Sequence, residues 1–225
     1  MKIAVLGTGT VGRAIAARLD ELGHDVTIGT RDTTATLTHP ASSGTGNAGY
    51  AEWAGSHPGI GLATFADAAS AAEVVINATN GAASLDVLAL TGAEHLDDKV
   101  LLDIANPLDF SQGMPPTLTV KDTDSLGEQI QRAYPGARVV KALNTMNADL
   151  MVHPETLPEG SSAFVSGNDA DAKTTVIGLL KEFGHTDVID LGDITTARGT
   201  EMLLPIWLRL YGALGTAAFN FKIVR

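Results

Sequence analysis

The sequence predicts an α/β fold built on a doubly wound, mostly parallel β-sheet. Short apolar runs alternate with helical stretches along the chain, which is typical of consecutive βαβ units. The apolar runs are continuous rather than alternating, as expected of strands that are covered by helices on both faces. A short α/β extension and a long helix are predicted to follow at the C-terminal end.

The first part of the chain alternates strands and helices. Lys2–Leu6 is a continuous apolar strand, and Val11–Leu22 has apolar residues at three-to-four spacing, which indicates a helix that stops at Gly23. Thr33–Gly49 is rich in Thr, Ser, Gly and Asn, which predicts an exposed loop. Further strands are expected at Asp25–Gly29, Ile60–Thr64, Glu73–Ala78 and Lys99–Ile104, and helices at Tyr50–Ser56, Phe65–Ala72 and Ala82–Leu90.

The second part continues the pattern after a proline-containing loop at Asn106–Thr123. Ser125–Tyr134 is an amphipathic helix, and Arg138–Ala142 is the sixth apolar strand. The remaining elements are strands at Ser162–Ser166 and Thr186–Leu191, a helix at Ala170–Phe183 and a long helix from about Thr196. No linker is evident, so we expect residues 1–145 to form the main α/β domain and residues 146–225 an extension packed on it.

The segment Met202–Phe221 is mostly apolar on more than one helical face. A helix that is apolar all round must be buried or must contact another chain, so the segment predicts a homodimer contact. Arg209 lies near its middle and would cost about 2.5–3.5 kcal/mol inside a bilayer. We therefore predict no membrane span.

Composition excludes several other classes. The chain has 225 residues, no cysteine and a formal net charge of −11. The absence of cysteine rules out disulfides and thiolate sites and is compatible with a cytoplasmic location. The acidic balance argues against nucleic-acid binding, which needs clustered Lys and Arg. The six histidines have no metal-ligand spacing, so no metal site is predicted.

The turn after the first strand has the pattern G-x-G-x-x-G, formed by Gly7, Thr8, Gly9, Thr10, Val11 and Gly12. Its position between an apolar strand and an amphipathic helix predicts a Rossmann-type dinucleotide site. Gly7 permits the tight turn, Gly9 lets the backbone approach a pyrophosphate, and Gly12 allows close packing of helix on strand. Backbone N–H groups and the helix dipole would hold the anion.

The end of the second strand selects the dinucleotide. NAD-specific sites place an acidic residue there to bind the ribose 2′-hydroxyl, but this chain has Gly29 followed by Thr30 and Arg31. A hydroxyl and a guanidinium suit a 2′-phosphate, so NADP(H) is predicted. Asp32 is expected to cap a turn or to pair with Arg31.

Three segments resemble one family. Ala4–Asp32, Val139–Met151 and Val165–Lys173 are similar to the NADPH:coenzyme F420 oxidoreductases, in which a Ser/Thr-Arg pair like Thr30-Arg31 grips the 2′-phosphate. The same middle segments also resemble the reductase domain of membrane metalloreductases, where a flavin receives the hydride. The resemblance implies direct hydride transfer between nicotinamide carbon 4 and deazaflavin carbon 5, without a covalent intermediate.

The resemblance also implies that the nicotinamide lies beyond the carboxyl ends of the strands. Three loops are then candidates for binding its ring and carboxamide, with Asn106, Asn144 and Thr145 as positioning residues. The candidates for these loops are Ala78, Thr79, Asn80, Asn106, Pro107, Leu143, Asn144 and Thr145.

Two alternatives remain open for the function. One is a non-catalytic NADP(H)-binding redox sensor, and the other is a reductase of a small carbonyl or imine substrate. The second needs a proton donor. Lys173 invites that role by analogy with hydroxyacid dehydrogenases, but its place in an amphipathic run predicts a solvated helix face.

Overall fold

The computed structural model describes residues 1–38 and 49–225 of the chain. Within these residues, eight strands form one sheet and two short strands form a separate hairpin. The strands are β1 (Lys2–Leu6), β2 (Asp25–Thr30), β3 (Gly61–Thr64), β4 (Val74–Asn77), β5 (Val100–Asp103), β6 (Leu108–Asp109), β7 (Thr117–Leu118), β8 (Arg138–Ala142), β9 (Ser162–Gly167) and β10 (Asp187–Gly192).

The large sheet confirms the predicted doubly wound topology. Its strand order is β10-β9-β8-β5-β4-β1-β2-β3, and every neighbouring pair is parallel except β8 with β9. The chain runs outward from β1 to β3 and then returns to place β4 on the other side of β1. The crevice beyond the carboxyl ends of β1 and β4 is therefore the switch point where ligands bind in such sheets.

Helices cover both faces of the sheet. Successive side chains of a strand point to opposite faces, so Ile3 and Val5 enter one apolar cluster while Ala4 and Leu6 enter the other. This double burial explains the continuous apolar runs. The helices are α1 (Thr10–Glu21), α2 (Thr33–Thr38), α3 (Tyr50–Gly55), α4 (Phe65–Ala71), α5 (Ser84–Thr91), α6 (Leu126–Ala133), α7 (Ala148–Val152), α8 (Ala170–Phe183), α9 (Ala197–Met202) and α10 (Leu204–Leu214).

The loop prediction for Thr33–Gly49 is wrong where the structure describes it, because residues 33–38 form α2. Asp32 starts this helix, since its Oδ1 accepts the N–H of Ala35 at 2.9 Å and its carbonyl accepts the N–H of Thr36 at 3.0 Å. Such capping outweighs the low helix propensity of threonine over one or two turns. The rest of the predicted loop, residues 39–48, lies outside the described residues.

The predicted loop Asn106–Thr123 contains a short antiparallel hairpin. β6 pairs with β7, with Leu108 opposite Leu118. The backbone N–H of Thr119 also donates to the carbonyl of Pro107 at 2.8 Å. The hairpin therefore holds Phe110 beside the carboxyl end of β5.

The predicted long C-terminal helix is divided into α9 and α10 at Leu203. Pro205 has no N–H to donate to the carbonyl four residues earlier, which interrupts the helix hydrogen bonding at this point. Within one chain the stretch is only partly covered. Leu204 is the buried residue of α10, whereas Ile206, Tyr211 and Leu214 are 47%, 44% and 56% exposed.

After α10 the chain returns to the sheet. The carbonyl of Phe221 accepts the N–H of Ser162 at 2.8 Å, beside the start of β9. A hydrogen bond from the Ser162 hydroxyl, together with the ammonium group of Lys222, lowers the pKa of Asp187 to about 2. Asp187 also pairs with Arg225 at 2.9 Å. The tail is thus fixed against the C-terminal strands of the sheet.

Candidate active site

The turn between β1 and α1 packs too closely to accept side chains at two of its glycines. A Cβ at Gly12 would lie 2.0 Å from the carbonyl oxygen of Gly7, and one at Gly7 would lie 2.7 Å from the carbonyl oxygen of Ala78. Gly7 also has a φ of +121°, which side chains disfavour. These contacts bring the start of α1 against the ends of β1 and β4.

Gly9 differs because it faces open space, with no atom within 4 Å of the point where a Cβ would lie. It is also the N-cap of α1 and has no side chain to cap the first helical turn. A 12-residue helix therefore presents its N-terminal end to the crevice without a side-chain cap. This arrangement fits a pyrophosphate, which can approach the backbone at Gly9 and interact with the helix dipole.

The end of β2 lies beside this turn. Thr30 is buried, and its hydroxyl is 2.7 Å from that of Thr36 in α2. Arg31 is exposed and has no hydrogen bond or ion pair to other residues in the described part of the chain. Asp32 caps α2 rather than pairing with Arg31. The guanidinium of Arg31 is thus available to a ligand anion.

A pocket of about 300 Å³ opens at the carboxyl ends of β4 and β5. It brings together predicted residues from three segments: Val11, the Ala78-Thr79-Asn80 loop and Asn106. The sequence analysis did not identify the rest of its lining. The additional lining residues are Gly81, Ile104, Ala105, Leu108, Phe110, Met146, Asn147, Ala148 and Met151.

The other predicted residues support this pocket without lining it. Asn144 is buried and forms a reciprocal pair with Asn106, whose Nδ2 donates to the Asn144 carbonyl at 2.8 Å and whose Oδ1 accepts from the Asn144 Nδ2 at 3.0 Å. Leu143 and Thr145 are also buried, and Leu143 has a φ of +61°. Pro107 is buried next to Asn106.

The loops that follow β4 and β5 are in direct backbone contact. A Cβ at Gly81 would lie 2.0 Å from the carbonyl oxygen of Asn106, so only glycine fits there. Asn80 caps the short turn at Gly81–Ala83 by accepting the N–H of Ala82 at 3.0 Å. The Thr79 hydroxyl donates to Oδ1 of Asn77 at 2.6 Å. Contacts within the protein therefore fix the part of the pocket wall that follows β4.

None of the described lining residues carries a charge or titrates near neutral pH. The charged groups lie deeper. Lys141 of β8 is fully buried between Asp103 of β5, at 2.8 Å, and Glu201 of α9, at 2.9 Å. Burial alone would lower the pKa of Lys141, but the two carboxylates outweigh it and raise that pKa. The sequence analysis missed these three residues.

The predicted solvated helix face is wrong for Lys173, whose side chain is only 13% exposed and has a structural role. Its Nζ bonds to Asp190 at 2.9 Å and to the carbonyl of Gly192 at 3.1 Å, which ties α8 to β10. Among the described residues, no cluster of three or more acidic or histidine side chains could hold a metal ion. In the same part of the chain, no helix is long and apolar enough to cross a membrane.

Comparisons with known proteins agree with this geometry. The family described as "NADP oxidoreductase coenzyme F420-dependent" matches residues 2–107. A curated F420-dependent NADP reductase from Methanothermobacter marburgensis is 30% identical over 93% of this chain and 92% of its own length. The chain belongs to the coenzyme F420-dependent NADP oxidoreductase family. It is an NADPH-dependent oxidoreductase that binds NADP(H).

Two further relatives extend this result. A crystal structure from Arthrobacter sp. FB24, provisionally described as an F420-dependent NADP-reductase, is 63% identical over the whole of both chains, with a TM-score of 0.96. The metalloreductase STEAP3 of Rattus norvegicus is 28% identical over 92% of this chain. This chain spans 38% of the length of that metalloreductase. Both family resemblances predicted from the sequence are confirmed.

We expect the substitution Arg31→Ala to raise the KM for NADPH about tenfold or more and to leave the KM for NADH little changed. The variant loses a charge-assisted bond to the 2′-phosphate, which NADH does not have. Steady-state kinetics with both nucleotides measures the two values. Arg132→Ala is the matched control, because Arg132 is an exposed arginine of α6 that pairs with Asp124, just before that helix. Equal effects of Arg31→Ala on both nucleotides would contradict the role of Arg31.

Proposed function

We propose that the chain transfers hydride between NADP(H) and a deazaflavin, coenzyme F420, or a flavin-like acceptor. The observation that carries this proposal is the uncharged pocket at the switch point, which joins predicted cofactor-binding residues to an apolar wall. Planar redox rings are bound by such apolar surfaces with a few oriented polar groups. Hydride transfer between two rings needs positioning rather than a charged catalytic group.

The chain's own residues divide this task. The turn at Gly7–Gly12 would bind the pyrophosphate of NADP(H). Thr30 and Arg31 would bind its 2′-phosphate. Thr79, Asn80 and Asn106 would orient the nicotinamide carboxamide, with Asn144 and Thr145 fixing the loop behind them. With both ligands bound, the nicotinamide would supply a hydride from carbon 4 to carbon 5 of the deazaflavin, and a proton from water would complete the two-electron reduction.

The two alternative functions make different demands on the same pocket. Reduction of a carbonyl or imine requires a proton donor at the reacting atom, and the described lining residues include no Lys, Tyr, His, Asp or Glu. A sensor requires NADP(H) binding without turnover. The uncharged lining supports a ring-to-ring hydride transfer over the first alternative, and only a kinetic measurement separates it from the second.

We expect the purified protein to oxidise NADPH with coenzyme F420 as the acceptor. The test is a comparison of coenzyme F420, FMN, FAD and ferric chelates, with NADPH absorbance as the measurement and a model imine and ketone as controls. Tight NADPH binding without turnover of any acceptor would contradict the proposal and favour the sensor. Turnover of the imine or ketone alone would favour the carbonyl or imine reductase.

Phe110 is the aromatic residue of the pocket wall. It lies after β6 and is 52% exposed although it lines the pocket, so its ring is available to an incoming ligand. The same pocket is lined by Val11 and the loop after β4, which belong to the cofactor turn region. A planar acceptor that entered from solvent would therefore stack on Phe110 close to the nicotinamide.

We expect Phe110→Ala to raise the KM for the deazaflavin about tenfold, because stacking of a heterocycle on an aromatic side chain contributes about 1–3 kcal/mol. The KM for NADPH should remain nearly unchanged, and Phe110→Trp should retain deazaflavin binding. Met114→Ala is the control, since Met114 lies in the same hairpin, is 69% exposed and is not part of the described lining. A larger effect on NADPH than on the acceptor would contradict this arrangement.

We also propose that α10 mediates a homodimer. Its exposed side chains include Ile206, Tyr211 and Leu214, which form an apolar surface that one chain does not cover. Contiguous apolar surfaces of this kind mark contacts with other chains, and two-fold symmetric pairs of one chain are the most common assembly. The division at residue 145 and the cytoplasmic location remain predictions from the sequence.

We expect sedimentation equilibrium to give twice the chain mass for the wild-type protein. Leu214→Glu should shift it towards the monomer, because the substitution places a charge in the apolar contact. Leu90→Glu is the matched control, since Leu90 is a similarly exposed leucine of α5, at 53% against 56% for Leu214. A wild-type monomer at micromolar concentration would contradict the dimer.

A further inference from the structure

A buried ionic cluster connects the C-terminal part of the chain to the pocket wall. It consists of Asp103, Lys141 and Glu201, whose side chains are at most 1% exposed. One positive and two negative charges leave an excess carboxylate, which is Glu201. Its oxygens accept the backbone N–H groups of Leu126 at 2.9 Å and Gly127 at 3.1 Å, the first residues of α6. The helix N-terminus therefore compensates the second negative charge.

Asp103 carries the connection towards the pocket. Its Oδ2 accepts from Lys141, while its Oδ1 accepts from Nδ2 of Asn77 at 2.8 Å and from the N–H of Ala105 at 3.2 Å. Asn77 is fully buried at the end of β4, and its own Oδ1 accepts the hydroxyl of Thr79 at 2.6 Å. Thr79 and Ala105 both line the pocket.

We infer that Asp103, Lys141 and Glu201 are positioning residues that fix Thr79 and Ala105 for the nicotinamide. This inference rests on the proposal that the nicotinamide occupies the pocket. Each carboxylate oxygen of Asp103 and Glu201 accepts hydrogen bonds from fixed donors. The positions of both carboxylates, and of Lys141 between them, are therefore fixed. The side chains touch no ligand and act through Asn77 and Thr79 on one path and through the backbone of Ala105 on the other.

Glu201→Gln tests the cluster at its end remote from the pocket. The three groups that face the Glu201 carboxylate are the N–H of Leu126, the N–H of Gly127 and Nζ of Lys141, all of them hydrogen-bond donors. In either orientation, the amide nitrogen of a glutamine would therefore face a donor and form no hydrogen bond with it. We expect the affinity for NADP⁺ to fall on the order of tenfold. The affinity for 2′,5′-ADP, which has no nicotinamide, should not change. Isothermal titration calorimetry measures both affinities.

Thr79→Val tests the other end of the connection and removes no buried charge. It loses the hydroxyl that donates to Asn77 and should reduce NADP⁺ affinity selectively, as Glu201→Gln does. If the two residues act through one network, the double variant should bind NADP⁺ only slightly more weakly than the single variant with the larger loss of affinity. Thermal unfolding of each variant without ligand establishes that it is folded.

Glu128→Gln is the matched control for Glu201→Gln. Glu128 is also a buried glutamate at the contact of α6 with α9, where it pairs with Arg198 at 2.5 Å, and it has no bond to Asp103 among the described residues. This variant should lower the unfolding temperature and leave both affinities unchanged. Its behaviour separates a loss of local stability from a loss of positioning.

Three results would count against these inferences. Unchanged NADP⁺ affinity in folded Glu201→Gln and Thr79→Val variants would overturn the positioning role. An equal loss of affinity for NADP⁺ and 2′,5′-ADP would also overturn it, because the cluster would then have only a structural effect. Equal affinities of the wild-type protein for the two ligands would instead overturn the assignment of the nicotinamide to the pocket.

Discussion

The rest of the structure depends on one interaction, the pairing of the buried Lys141 ammonium group with the carboxylates of Asp103 and Glu201. A charge with no exposure is stable only if its partners are fixed, and here they come from β5 and α9. Removal of Lys141 would leave two carboxylates in the core without a cation. The requirement therefore fixes β8 next to β5, and α9 against the start of α6. It couples the C-terminal part of the chain to the nucleotide-binding strands.

A second constraint acts at the other side of the crevice, where backbone groups approach without side chains between them. The Gly12–Gly7 and Gly7–Ala78 contacts set how close α1 comes to β4. The contact of Gly81 with Asn106 does the same for the loops after β4 and β5. Together, these contacts and the ionic cluster determine the shape of the pocket from both sides. A Cβ at any of these three glycines would have to separate two elements of the site.

The sequence predicted what depends on neighbouring residues. The apolar run Lys2–Leu6, the glycine turn and the Thr30-Arg31 pair are local patterns, and the sheet and family derived from them are confirmed. Helix α2 escaped prediction because one capping residue, Asp32, outweighs the composition of the segment. The pocket wall at Phe110, Met146 and Met151 could not be predicted, because it is formed by elements that meet only in the folded chain. A signal for Lys141 was present, since a lysine inside an apolar strand covered on both faces requires a buried carboxylate.

The distribution of charge explains how an uncharged pocket can be accurately shaped. A charged group in the lining would attract water and oppose the desolvation of a ligand entering the pocket. The charged groups of Asp103, Lys141 and Glu201 instead lie beneath the lining, where they contact only fixed partners. In this environment of low dielectric constant, their hydrogen bonds are strong and directional. Asp103 illustrates this arrangement, because it bonds to Lys141 on one side and to Asn77 on the other without reaching the pocket surface. The lining can then remain neutral, while the ionic layer beneath it holds the loops at the ends of β4 and β5 in place.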